Sequence, residues 1–198
     1  NRESVMGILR YQKCFHEKEI DLHAAAHILL CSDRHVIRGL GVTIVSVLEN
    51  LAMPCVIHVA FNGELPKEEA ARFSQLAETY DTMIIFYWID DAELQSLHGN
   101  RFITVTTFYL LLMPYVLHAQ QIEKCIYLDT DVICVADVSS WYRQDLKDSV
   151  AYVVKDATAT PGLREKKTCK ELGMKGVRYF NAGVMLINIP RYVQIDIG

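Results

Sequence analysis

From residue 27 onward the chain alternates short, β-branched apolar runs with longer amphipathic ones, and that alternation is compatible with few folds. His27-Ile28-Leu29-Leu30-Cys31 reads as a buried strand. A helix over residues 37–49 follows, with Ile44, Val47, Leu48 and Leu51 on one face. Residues 55–61 form a second strand, Asn62-Gly63 a turn, and Pro66 opens a helix reaching about residue 80. Residues 83–89 read as a third strand, Asp90-Asp91 as the cap of a short helix, and 106–119 as a helix interrupted or bent near Pro114. Further strands are expected at 125–128, 150–154 and 184–189, the last two separated by a polar stretch. The pattern predicts an α/β layer fold with a mostly parallel central sheet over residues 27–198. Residues 1–26 show no matching strand and read as a helical or partly disordered arm.

A chain of 198 residues, 51% apolar, buries enough surface to hold one core without a structural metal or disulfide. Any metal would then serve chemistry. Twenty basic against twenty-four acidic side chains give a net charge of −4, which excludes the whole-molecule basic field of a nucleic-acid binder. Six cysteines never pair as C-x-x-C and sit mostly in apolar runs, which predicts buried thiols in a reducing, cytoplasmic compartment and no zinc site. The apolar run over 108–117 is far short of the ~20 residues that span a bilayer, and no signal-peptide core precedes it. The first residue is Asn1 and not Met, which reads as a trimmed piece.

The chemistry-bearing signal is Cys125-Ile126-Tyr127-Leu128-Asp129-Thr130-Asp131, which sets two carboxylates at the end of an apolar strand. Were the chain still extended there, residues i and i+2 would point to one side, bringing Asp129 and Asp131 together. Close carboxylates repel, and a hard divalent cation such as Mn2+ or Mg2+ removes that cost while bridging to a diphosphate. The plainer alternative is a strand-to-turn junction whose carboxylates satisfy loop amides.

Together with Ser32-Asp33-Arg34-His35, Gly39-x-Gly41-Val42-Thr43-Ile44-x-Ser46 and Tyr179-Phe180-Asn181-Ala182-Gly183-Val184-Met185-Leu186-Ile187-Asn188, this segment resembles glycosyltransferase family 8. These are retaining nucleotide-sugar transferases with a GT-A, Rossmann-like fold. Val153-Val154-Lys155-Asp156 is most similar to the bacterial branch that extends the lipopolysaccharide core with glucose or galactose. The resemblance implies that Asp129 and Asp131 hold Mn2+ (or Mg2+) against the diphosphate of UDP-glucose or UDP-galactose, with the Thr130 backbone beside the nucleoside. It implies that Asp33 contacts uracil, that Asp156 and Asn181 lie near the donor sugar, and that Ala182 and Gly183 allow close backbone approach. A glycan or glycolipid acceptor is implied, as is a cytoplasmic enzyme that can attach peripherally to the inner membrane. The family has no agreed protein nucleophile, and a front-face path with the leaving diphosphate as base is favoured.

Each of these residues also has a plainer role. Asp33 can cap the following helix, Asp156 can be a solvated residue after a strand, and Asn181 can mark a turn before Ala-Gly. His35 replaces the family's usual Asn and reads as a surface imidazole; Arg164-Glu165-Lys166-Lys167 reads as an exposed helix face. His23 and His27 have the spacing of a helical metal pair, but His27 opens a strand, which argues against zinc.

Two departures limit the resemblance. Leu110 stands where the family carries an arginine for the donor phosphate, and the family's later Gln-Asp pair and His-x-x-Gly-x-x-Lys-Pro-Trp segment do not occur in 198 residues. The C-terminal part of the domain is therefore expected to be missing. Two other functions compete. One is a degenerate, non-catalytic nucleotide-sugar-binding protein. The other is a haloacid-dehalogenase-like phosphatase, whose D-x-D-x-[TV] pattern Asp129 to Val132 also fits, although that motif normally opens its fold.

Overall fold

A computed structural model of the chain describes residues 9–89, 105–155, 170, 171, 173 and 180–195. The short helix expected after Asp90-Asp91, Asp156 and the charged run 164–167 lie outside the described residues.

Seven strands form one sheet: β1 (Leu9–Phe15), β2 (Ala26–Asp33), β3 (Cys55–Asn62), β4 (Met83–Ile89), β5 (Lys124–Leu128), β6 (Ala151–Lys155) and β7 (Phe180–Asn188). The helices with described bounds are α1 (Ile37–Asn50), α2 (Lys67–Thr79), α3 (Val105–Ala119), the single turn α4 (Ser139–Tyr142) and α5 (Ile189–Ile195). The strand order is β1-β4-β3-β2-β5-β7-β6. Strands β4, β3, β2 and β5 are mutually parallel, as the alternation predicts. Strand β1 runs antiparallel to β4, β7 to β5 and β6 to β7, so the sheet is mixed, with β2 to β6 pointing one way and β1 and β7 reversed. No helix lies between β1 and β2, so no crossover returns the chain in the same direction there.

Central strands β2 and β3 are buried on both faces and accordingly read as continuous apolar runs. Alternate residues feed two cores. Ile28 and Leu30 join Ile57, Val59, Ile84 and Phe86 beneath Leu40, Ile44 and Val47 of α1 and Phe73 and Ala77 of α2. Leu29 and Cys31 join Tyr87, Tyr109, Met113 and Leu117 on the opposite face, under α3 and α5. The result is three layers, helices on both sides of a sheet. Helix α3 continues through Pro114, so the chain is not interrupted there.

Strand β1 corrects the expectation of a strandless N-terminal segment. It pairs antiparallel with β4, and Tyr11 stacks on Trp88 with ring centroids 4.7 Å apart. As an edge strand it buries little, so its sequence carries almost no apolar alternation to read.

A chain of polar side chains crosses three central strands. The Leu22 carbonyl can only accept, so His27 Nε2 carries the proton of their 2.8 Å bond. Neutral His27 then accepts at Nδ1 from His58 Nε2 at 2.9 Å, and His58 Nδ1 lies 2.9 Å from Tyr87 Oη, which is also 3.2 Å from Gln120 Oε1. Burial lowers the pKa of both imidazoles, each further lowered by a neighbouring histidine; His58 falls well below the usual range. The native state therefore resists protonation that the unfolded chain accepts below about pH 6.5. Stability should be full above that pH and fall beneath it, with a slope of at most ~2.7 kcal/mol per pH unit for the pair. Denaturant unfolding at pH 5.5 and 7.5 checks this, and the slope should be shallower in His58→Gln.

Candidate functional site

Chain order reverses at the β2–β5 pair: β3 and β4 build outward on one side of β2, and β5 adds to the other. Ligands of open α/β sheets bind outside the carboxyl ends of strands at such a reversal. Asp33 is the last residue of β2, and Asp129 immediately follows β5, whose residues Ile126 and Tyr127 pair with Ile28 and Leu29.

The strand does not continue through the acidic pair. Residues 129–132 form a turn, with Val132 N donating to Asp129 O at 3.2 Å. The extended-chain argument for convergence therefore does not apply. Asp129 is half-buried at the strand end and Asp131 exposed on the turn. The two carboxylates differ in their surroundings. Tyr127 Oη, on a side chain only 4% exposed, donates to Asp129 Oδ1 at 2.7 Å. Burial above all, with the neighbouring Asp129 and Asp131 carboxylates, raises the Tyr127 pKa and keeps the phenol a donor.

Strand β7 closes the other side of Asp129. Asp129 N donates to Gly183 O at 2.9 Å, while Asn181 Oδ1 accepts from Gly183 N at 2.7 Å. A β-carbon on Gly183 would overlap Asp129 Oδ2 and lie 2.9 Å from its Cγ and 3.0 Å from Asn181 Oδ1. The missing side chain is thus what lets the Asp129 carboxylate rest on the strand beside the Asn181 amide. Against β6 the register jumps from Val153↔Met185 to Val154↔Asn181, so Ala182, Gly183 and Val184 bulge out of that ladder. Strand β7 therefore begins at Phe180, before the expected 184, and Asn181 sits within a bulged strand where a turn was the plainer reading.

Asp33 is not the N-cap of α1, a position that Val36 holds without a side-chain cap. Asp33 Oδ1 accepts from His35 N at 2.7 Å and Val36 N at 3.3 Å, ordering the turn before α1. His35 is exposed, and His27 is committed to Leu22 and His58. Leu110 is half-buried against the second core. The structure thus brings Asp129, Thr130, Asn181 and Gly183 together, with Asp131 on the same turn and Ala182 exposed beside them. Sequence reasoning did not assign roles to Tyr127 or to the face of α1 that meets the turn. On that face Gly39 leaves room for the Thr130 carbonyl oxygen, which would lie 2.9 Å from a β-carbon there. The signal was available: residues 39, 43, 46 and 50 are small or polar at spacings of four, three and four, one stripe of the helix.

Asp129 and Asp131 have no ion-pair partner among the described residues. Two carboxylates on a tight turn supply the hard oxygen donors that Mn2+ or Mg2+ prefers, so the residues fit such an ion. No third histidine, cysteine or carboxylate joins them among the described residues. No helix among those residues is long and apolar enough to cross a membrane.

The profile of glycosyl transferase family 8 matches residues 27–197. A lipopolysaccharide 1,2-glucosyltransferase of Escherichia coli is 30% identical over 156 residues, covering 79% of this chain and 45% of that protein. A lipopolysaccharide 1,3-galactosyltransferase of Salmonella typhimurium is 30% identical over 180 residues, 84% of this chain and 49% of its own. The chain spans about half the length of these curated relatives. The galactosyltransferase LgtC, solved with donor and acceptor sugar analogs, shares the fold with a TM-score of 0.71 at 23% identity, covering 85% of this chain and 59% of LgtC.

Proposed function

From the premise that this chain belongs to glycosyl transferase family 8, we propose that it moves glucose or galactose from a UDP-sugar to a lipopolysaccharide core or related glycan, with retention at the anomeric carbon. The reading rests on one observation above all. Asp129, Asn181 and Gly183, 52 to 54 residues apart in sequence, converge at the carboxyl edge of the sheet beside its order reversal. The family match spans β5 and β7 together, which the phosphatase alternative leaves unexplained.

Asp129 and Asp131 are the residues that would hold Mn2+ or Mg2+. When bound, that cation supplies positive charge against the diphosphate as its bond to the sugar breaks. Tyr127 fixes the Asp129 carboxylate in rotation, because its hydroxyl donates to one carboxylate oxygen only. Asn181 spends its oxygen on Gly183 N, which presents its NH2 group as the donor for a sugar hydroxyl. Thr130 lends backbone to the nucleoside, Asp33 keeps one carboxylate oxygen for uracil, and the Asp156 carboxylate opposes positive charge on the sugar ring.

Calorimetry of UDP binding with and without Mn2+ tests the reading. Binding should tighten at least ~10-fold with the ion, and equal affinities would remove the metal role. Mass spectrometry of products formed from UDP-glucose and UDP-galactose with core oligosaccharide identifies donor and acceptor. Leu110, packed among apolar side chains where the family has a phosphate-binding arginine, favours the non-catalytic alternative. Metal-dependent UDP binding without transfer would establish that second reading.

A further inference from the structure

Helix α1 has two functional stripes. Leu40, Ile44 and Val47 face the core, while Gly39, Thr43, Ser46 and Asn50 face the segment that leaves β5. This second stripe grips the segment through backbone atoms. Thr43 Oγ1 donates to Thr130 O at 3.0 Å, and Gly39 lies against the same oxygen. Ser46 Oγ donates to Thr43 O at 2.7 Å and accepts from Cys134 N at 2.9 Å. Asn50 Nδ2 donates to Cys134 O at 3.0 Å. Contacts of this kind fix the path of residues 130–134 and are indifferent to their side chains. Thr130 O belongs to the residue between the two acidic ones, so Thr43, 1% exposed and 87 positions away in sequence, sets where the turn lies.

We propose that Thr43 is a positioning residue for the acidic turn: through Thr130 O, α1 holds Asp129 and Asp131 in their binding arrangement before any ligand arrives. This rests on the reading of those two residues as cation ligands. A turn that ligand must itself order binds more weakly, since the ordering cost is then met at the moment of binding. Tyr127 and Gly183 govern the Asp129 side chain; Thr43 governs the backbone that carries Asp131.

Thr43→Val keeps the shape and removes the donor, and Thr43→Ser returns it. In the 198-residue chain, Thr43→Val should weaken calorimetric binding of UDP in the presence of Mn2+ about tenfold. It should also speed amide hydrogen exchange at residues 130–134 while β3 amides keep their protection. Thr43→Ser should restore both. Loss of melting temperature in Thr43→Val with binding and exchange at 130–134 unchanged would overturn the proposal, as would failure of serine to rescue. Should Thr43→Val not fold, Ser46→Ala removes the acceptor of Cys134 N, and the same paired response is expected. A parent chain that binds neither Mn2+ nor UDP overturns the metal reading, and the exchange contrast then decides the role of Thr43 by itself.

Discussion

Asp131→Ala is expected to leave the melting temperature within a degree or two of the parent and to remove the Mn2+ dependence of UDP binding. Asp131 is exposed on a turn, and its carboxylate supports no described hydrogen bond, so its loss opens no cavity and strands no partner. It does remove one of the two charged donors that fit the cation, which should cost ~100- to 1,000-fold in metal-dependent affinity. Titration of UDP at fixed Mn2+, repeated without the ion, reads this directly; persistence of a metal-dependent gain in the variant would place the ion elsewhere. Asp129→Ala is a less clean test. It leaves the Tyr127 hydroxyl buried without its acceptor, a loss of ~1–3 kcal/mol in stability that would confound any loss of binding.

Gly183→Ala should damage both stability and binding, by ~1–3 kcal/mol and at least ~10-fold respectively, although it adds only one methyl group. The backbone at Gly183 is not in a left-handed conformation, so strain in φ is not the cause. The cause is space: the new carbon coincides with Asp129 Oδ2 and crowds Asn181 Oδ1. Asp129 must rotate away, and its bond from Tyr127 is lost with it. A double-mutant cycle tests this. In an Asp129→Ala background the stability cost of Gly183→Ala should largely vanish, whereas full additivity would mean that the clash is relieved by some other movement.

The parts of the fold read correctly from sequence are those with a legible apolar run or stripe, including β6, which its β-branched residues mark to within one position although it is mostly exposed. Strands β2 to β5 and helices α1 and α2 announce themselves because a short apolar run bounded by turn residues suits a buried strand, and an apolar stripe at helical spacing suits a helix laid on a sheet. Strand β1 escaped because an edge strand needs only one partner and little burial. The start of β7 escaped because Asn-Ala-Gly has turn chemistry; here the glycine is required for a close approach across strands, and the pairing that shows this involves a residue 54 positions earlier. The site was legible in its residue types and less so in its geometry. Asp129-Thr130-Asp131 named the donors, but the reversal of the chain at 129–132 and the grip of α1 on Thr130 arise from tertiary contacts that no local spacing encodes. Tyr127 was visible two places before Asp129, but its bond could be known only once both side chains had rotamers.

Because β5 lies between β2 and β7 in space while β7 begins more than fifty residues after β5 ends, the cradle around Asp129 is finished only when that later strand docks. A nascent or partly folded molecule containing β1 to β5 possesses the acidic turn but lacks its floor. Retention on an immobilised UDP resin would then discriminate mature molecules from arrested ones, making nucleotide capture a quality check on the completion of folding.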